Sequence, residues 1–388
     1  MQTISLCGSL VTLLALAATA GCTHETSNAD DGTVGSDEEQ LIGGRAGAVY
    51  TLSNDAAANE VIVFRRAADG SLQRAASHAT GGKGSGDGLG SQGALVLTDD
   101  RHWLYAVNAG SNELSIFYVS GELLYLVDCV PTGGARPISV TVHGSVAYVL
   151  HAGDAATAGS IAGFRRDHDG RLAALSSSTR PLSGASVGPA QISFSPSGQA
   201  LLVTEKGTNK IDEYRVDAGG RASAAVVHDS IGKTPFGFAI TRRGQVIVSE
   251  AFGGAPDAGA LSSYQLGGAA GLAPVSASVP DTQSAPCWVA LAKHDRLAFV
   301  SNTASGSISS YRVANDGAVS LVAAGRAGDT GEGSKPIDMA LSRSDRFLYV
   351  LDSGTSQLSA FRVAPDGALT PSVGVSGLPA TAVGLAAE

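Results

Sequence analysis

Seven aromatic residues close seven β-patterned segments along this chain: Phe64, Phe117, Phe164, Tyr214, Tyr264, Tyr311 and Phe361. Their spacings are 53, 47, 50, 50, 47 and 50 residues in a chain of 388. Self-similarity at such a period restricts the fold to repeat architectures, because one unit cannot bury its apolar face alone and must stack on its neighbours. The markers Phe64, Tyr214, Tyr311 and Phe361 are each followed by Arg and then Arg or Val. A turn glycine comes a few residues after a marker, as in Asp69-Gly70, Asp169-Gly170, Asp316-Gly317 and Asp366-Gly367. Asp-Gly between alternating segments is a strong hairpin signal. A proline leads an alternating strand in six units, at Pro137, Pro189, Pro235, Pro286, Pro336 and Pro379, and Gln92 stands at that place in the first. A turn such as Ser195-Pro196-Ser197-Gly198 precedes a second strand, as in LYAVN (104–108), AYVLH (147–151), LLVTE (201–205), AFVSN (298–302) and LYVLD (348–352).

Each unit therefore reads as four strands joined by tight turns, and helical periodicity is absent. A solenoid would use shorter repeats, and a pair of β-sandwiches would not repeat the same strand signatures seven times. The expected fold is all-β: a seven-bladed β-propeller with four-stranded antiparallel blades over residues 46–388, whose radial closure removes exposed strand edges. Glycine agrees, at 50 residues against roughly 27 for average usage near 7%. The two ends complement each other. Ala46–Tyr50 already reads as a second strand, whereas Leu378–Leu385 reads as a proline-led strand with nothing after it. The C-terminal strand is thus expected to complete the first blade.

The first 21 residues read as a signal peptide. Leu10–Ala20 is an apolar run too short to span a bilayer, and it ends in small residues like a secretory leader. Ala18-Thr19-Ala20 fits ordinary cleavage, whereas Thr19-Ala20-Gly21-Cys22 matches a bacterial lipobox in part, with Cys22 as the lipidated thiol. Residues 22–45 read as a flexible tether that carries six acids and almost no basic side chain. The tether holds most of the net charge of −9, so the folded body is nearly neutral. It has no electrostatic footprint for nucleic acid. The expected setting is the bacterial cell envelope or periplasm, with membrane attachment through the lipid only and a monomeric ring. After the leader and Cys22, only Cys129 and Cys287 remain; they occupy different repeat positions, where neither a disulfide nor a metal is expected.

Loops on a rigid ring carry function, which directs attention to the strand ends at the channel. The residue closing the second strand of each unit is polar in all seven: Asn54, Asn108, His151, Glu205, Glu250, Asn302 and Asp352. Asn and Asp suit turn capping. Glu205, Glu250 and His151 are poorer turn formers and are the candidate catalytic groups. Arg136, Gln191, Phe236, Trp288, Lys335 and Asp338 lie at or after the prolines. Together with Asn108, Asn302 and Asp352, they are candidates for binding a small polar or anionic ligand; Trp288 equally suits core packing. The run Gly81–Gly86 lacks phosphate-loop spacing and reads as a flexible connection between blades, and no nucleophile elbow or HExxH motif occurs. No cofactor is implied.

The Y-V-x-N second strand, the I-S-x-Y/F-R-V third strand and the Asp-Gly turn resemble the lactonase-type propellers, which include 6-phosphogluconolactonases and 3-carboxy-cis,cis-muconate lactonizing enzymes. The resemblance spans about residues 46–388. It implies a pocket built from Arg and His in a G-P-R-H strand start and from a Glu closing the next strand. Here the strand start reads Gly188-Pro189-Ala190-Gln191, Glu205 stands at the Glu position, and an earlier strand start reads Arg136-Pro137-Ile138-Ser139 without the family's further His. Lactone opening needs a base for water and a cation for the oxyanion. The resemblance would make Glu205 the base; in a site rebuilt around it, Glu250 or His151 is the candidate assistant and Arg136 or Lys335 the candidate cation. A phosphorylated sugar lactone is a cytoplasmic metabolite, so an exported chain is expected to act on another lactone or small carboxylate. The alternative expectation is a non-catalytic propeller that binds an envelope partner.

Overall fold

A computed structural model describes residues 46–267, 271–292, 294–322 and 325–388. The expected leader, the tether and Cys22 lie outside the described residues. The strands form seven antiparallel sheets, the blades of a seven-bladed propeller, and a short 3-10 turn lies at Phe252–Gly254. Blade 2 shows the plan from channel to rim: Leu95–Leu97, Trp103–Asn108, Glu113–Ser120 and Leu123–Pro131. Blades 3 to 7 have innermost strands Pro137–His143, Pro189–Phe194, Pro235–Ile240, Pro286–Leu291 and Pro336–Leu341. In blades 3 and 6 the outermost strand is broken, with Arg180–Pro181 and Gly328–Asp329 as the second pieces.

The C-terminal strand completes blade 1 as expected. Val383–Ala387 pairs antiparallel with Gly47–Leu52, placing Thr51 opposite Leu385, and Thr51 Oγ1 donates to the Gly384 carbonyl at 2.7 Å. The expected start was too early. Pro379–Ala382 form a turn, closed by the Ala382 N–H on the Pro379 carbonyl at 3.0 Å, and the strand begins at Val383. Gln92 likewise does not open a strand, because blade 2 begins its innermost strand only at Leu95.

The repeated signals have two physical roles. All seven marker aromatics are at 2% exposure or less, so they knit neighbouring sheets rather than cover a surface. The Asp-Gly turns lock the seams. Gly70 has φ +91° and lies flat on the Phe347 ring of blade 7, and Gly170 sits in the same way on Trp103 of blade 2. A side chain at either place would strike that ring, and the left-handed φ disfavours one in any case. Tyrosine hydroxyls fasten the seams: Tyr349 donates to the Gly70 carbonyl at 2.9 Å, Tyr148 to Gly220 at 2.8 Å and Tyr50 to Gly121 at 2.9 Å. Both remaining cysteines are free; Cys287 is buried and Cys129 half-buried.

Candidate functional site

The innermost strands of blades 3 to 7 begin in the same unusual way. The residue before each proline has positive φ: Arg136 55°, Gly188 61°, Thr234 58°, Ala285 54° and Lys335 49°. Residues before proline normally adopt extended backbone. Here the carbonyls of these five residues accept the N–H of the residue just after the second strand: Ala152, Lys206, Ala251, Thr303 and Ser353. The ladder is irregular immediately after each proline, a bulge that re-aims the next side chains toward the channel. Arg136 and Lys335 remain exposed at this strand-start mouth.

The polar residues that close the second strands are all buried, and Asn108, Glu205 and Glu250 grip the segment arriving from the preceding blade. Glu205 Oε1 accepts the Ser183 N–H at 2.9 Å, and its Oε2 accepts Ser183 Oγ at 2.5 Å and Thr208 Oγ1 at 2.6 Å. Glu250 accepts the Gly232 N–H at 2.8 Å and Ser278 Oγ at 2.6 Å. Asn108 accepts Thr80 Oγ1 at 2.7 Å and Asn59 Nδ2 at 3.0 Å. Asn302 donates to Ser309 Oγ at 2.8 Å, and Asp352 accepts Ser359 Oγ at 2.5 Å. Burial alone lifts the Asp352 carboxyl to about 7. Asp212, beside Glu205, is raised to about 7 first by burial and then by that neighbouring charge. His151 lies under Gly134, with its Nε2 buried and unpartnered among the described residues. Burial drives its pKa down to about 4, so the ring is neutral at pH 7. Glu205, Glu250 and His151 stand in three different blades, each among its own loop contacts.

The channel is crossed at this mouth by the connection that follows the glycine run. Gly84 donates to the Asp55 carbonyl at 2.8 Å, Gly86 to Asn54 at 3.0 Å, and the Gly110 N–H to Lys83 at 3.0 Å. The run expected to be a flexible link is therefore hydrogen-bonded along its length, with glycine required where Gly84 lies against the Asn54 backbone. Beyond it, Gln92 reaches from blade 2 to blade 6. Its Nε2 donates to the Val289 carbonyl at 2.7 Å and its Oε1 accepts the Val289 N–H at 3.0 Å. The Gln92 N–H donates to the Ala190 carbonyl of blade 4 at 3.0 Å, and Trp288 Nε1 donates to the Ser91 carbonyl at 3.0 Å. Gln191 repeats the device, with its amide paired to both backbone groups of Phe238 at 2.9 and 2.7 Å. Each amide imitates a strand edge, satisfying backbone groups that radial blades leave unpaired. The strand start that departs from G-P-R-H thus supports the segment above it.

Around this segment stands a basic and aromatic cluster. Lys206 donates to the Gly90 carbonyl and holds its ammonium 4.7 Å from the Phe236 ring centroid, a cation–π contact. Phe236 and Trp288 lie 4.9 Å apart. Burial pulls the Lys206 pKa down and nearby Arg136 adds to this, with Cys287 acting in the opposite sense. Lys206 was absent from the sequence-derived candidates because the motif reading stopped at Glu205, one residue earlier.

The other half of the channel opens at the turns after the innermost strands as a cavity of about 670 Å³, lined by five blades. Asp338 and Gln191 belong to its wall near the channel middle. Asp338 accepts the Gly384 N–H at 2.9 Å, and burial lifts its carboxyl to about 7 against the pull of backbone donors. Arg101 and Arg343 stand at the open end, on turns that the sequence reading passed over. They occupy different places in the aligned turns Thr98-Asp99-Asp100-Arg101 and Ser342-Arg343-Ser344-Asp345, so no repeat position marked them. The candidate binding residues therefore separate: Arg136, Trp288 and Lys335 belong to the strand-start mouth, Gln191 and Asp338 to the cavity, and Asn108, Asn302 and Asp352 to blade interiors. No group of three metal-ligating side chains occurs among the described residues.

Comparison with known proteins agrees with this architecture. The family model described as lactonase, 7-bladed beta-propeller, matches residues 56–183 and 248–382. No curated protein matches the chain. Among solved structures, the periplasmic gluconolactonase PpgL of Pseudomonas aeruginosa superposes with a TM-score of 0.67 at 19% identity, covering 87% of this chain and 99% of that one. A protein from Lactobacillus plantarum gives 0.70 at 16% identity, covering 88% and 99%. A candidate 6-phosphogluconolactonase of Bacteroides fragilis gives 0.64 at 16%, covering 87% and 97%. At these identities the structural likeness establishes the fold, and the family match, over more than half the chain, establishes the lineage. This chain belongs to the lactonase family of seven-bladed β-propellers.

Proposed function

We propose that this protein is an exported, lactonase-like propeller that takes a lactone or small carboxylate at the strand-start mouth of its channel. The observation that carries the reading is the cluster of Lys206 over Phe236, beside Trp288 and with Arg136 exposed nearby. Cations resting on an aromatic platform suit a flat, electron-rich ester or carboxylate. Glu205 precedes Lys206 in the chain and is the acid placed to activate water, provided that the Gly90–Gln92 segment moves and Ser183 releases its carboxylate. The apolar run before Cys22 supports export with a lipid anchor, and the periplasmic setting in the name of the Pseudomonas aeruginosa neighbour agrees with the first half of that statement.

The test is hydrolysis of a panel of five- and six-membered lactones by the purified protein, alongside Glu205→Gln and Lys206→Met. Turnover lost in Glu205→Gln, with KM raised in Lys206→Met, supports the site. Turnover indifferent to both substitutions removes it. Binding of lactones without turnover favours the non-catalytic reading, for which the saturated hydrogen bonding of Glu205 argues. Labelling cells with a radioactive fatty acid, compared with Cys22→Ala, tests the anchor.

A further inference from the structure

The turn-side end of the channel has a composition that the fold does not explain. Arg101 is half-buried, and its Nη1 lies out of solvent with no hydrogen-bond partner among the described residues. Orphaned buried donors are costly and normally absent from native structures. The opposing turn brings a second guanidinium, Arg343, close enough that its charge adds to burial in lowering the Arg101 pKa. Neither arginine has an ion-pair partner among the described residues. The acidic groups that act on Arg101 are Glu388 and Asp99; Asp99 is exposed to solvent, and Glu388 is shared with Arg66 and Arg343 as well. Two guanidiniums at one opening, neither of them in an ion pair among the described residues, mark a place where an anion completes the structure.

Behind the pair, the cavity of about 670 Å³ falls within the range for small-molecule sites and far exceeds the volume of an inorganic ion. Its walls alternate apolar side chains such as Val142, Leu341 and Leu385 with the polar Thr141 and Ser193, which suits an organic body carrying hydroxyl groups. We propose that the turn-side half of the channel is a second binding site, for a small organic carboxylate whose anionic head is held by Arg101 and Arg343. It lies at the opposite end of the channel from the strand-start cluster and does not depend on lactone hydrolysis there.

The experiment is isothermal titration calorimetry of the full chain at low salt with gluconate, citrate and benzoate, and with inorganic phosphate for comparison. One organic carboxylate at least should bind at a single site. Its dissociation constant should rise about 10- to 100-fold in Arg101→Gln and in Arg343→Gln, the loss of one charge-assisted contact, and stay unchanged in Lys206→Met. Without ligand, Arg343→Gln should keep or raise the melting temperature, because it relieves repulsion on Arg101. The proposal is overturned by no saturable binding of any of the three organic acids, by equal affinity in the arginine variants, by phosphate binding as tightly as the organic acids, or by a lower melting temperature for ligand-free Arg343→Gln.

Discussion

Replacing Asp338 with Asn should stabilise the ring at alkaline pH and do little at acid pH. Burial sets the Asp338 pKa at about 7 in the folded protein, against about 3.9 in an unfolded chain. The folded state therefore binds the proton more tightly than the unfolded one. Ionisation thus costs nothing below about pH 4; the cost grows between about pH 4 and 7 and is fully present above 7. Three pKa units correspond to about 4 kcal/mol at 1.36 kcal/mol each. Asn preserves the shape, its carbonyl can accept the Gly384 N–H, and it carries no charge to bury. An unfolding entropy of about 2.1 cal/mol/K per residue over roughly 340 residues gives about 0.7 kcal/mol/K, so the gain corresponds to roughly 5 °C. Scanning calorimetry of parent and Asp338→Asn at pH 4.5 and 8.5 measures this. The variant should melt about 5 °C higher at pH 8.5 and within about 1 °C of the parent at pH 4.5. His151 titrates in both proteins alike and cancels in the difference. An equal shift at both pH values, or a loss at pH 8.5, would refute the assignment of the cost to a buried charge.

Other outcomes follow from the same structure. Gly70→Ala forces a Cβ onto Phe347 at a left-handed φ and should cost about 2–4 kcal/mol, read as a lower urea midpoint with an unchanged slope. Gln92→Ala removes both side-chain bonds to Val289 and leaves a buried N–H unsatisfied; the expected loss is about 1–3 kcal/mol, with faster hydrogen exchange at Val289 and little change at the rim. His151 is held neutral, so below its unfolded pKa the folded state binds fewer protons and loses stability as pH falls from about 6.5 to 4. His151→Gln should accordingly flatten the acid limb of the melting curve. Deleting the C-terminal strand, residues 383–388, strips Gly47–Leu52 of its inner partner and should abolish cooperative melting, because it opens the ring along a whole strand.

The blade count was legible because propeller blades repeat their needs. Every unit places an aromatic between two sheets, and four place an Asp-Gly turn against the neighbouring blade, so Phe64 to Phe361 and these glycines recur at near-constant spacing. Ring closure was legible for the same reason, since one unit lacked its first strand and the chain end supplied it. The strand-end polar residues were legible as a set, but their partners were not. Ser183 on Glu205 and Gly232 on Glu250 belong to connections whose register no periodicity reports. The glycine run was misread as loose because nothing in Gly81–Gly86 itself announces that Asn54 and Asp55 of the same blade bond to it. Gln92 was noticed only as a missing proline.

Sequence alone determined the class, the seven blades, the closing strand and the family resemblance, because these rest on local patterns that each unit must satisfy by itself. Only the tertiary structure decided what the channel contains. Radial closure brings together residues from blades 2, 4 and 6 that lie about 100 or more positions apart. That convergence puts Gln92 across one mouth, and the same closure sets Arg101 of blade 2 beside Arg343 of blade 7 at the other. Periodicity records what each blade needs to pack, whereas a site made by closing a ring depends on distances between blades that no single repeat encodes.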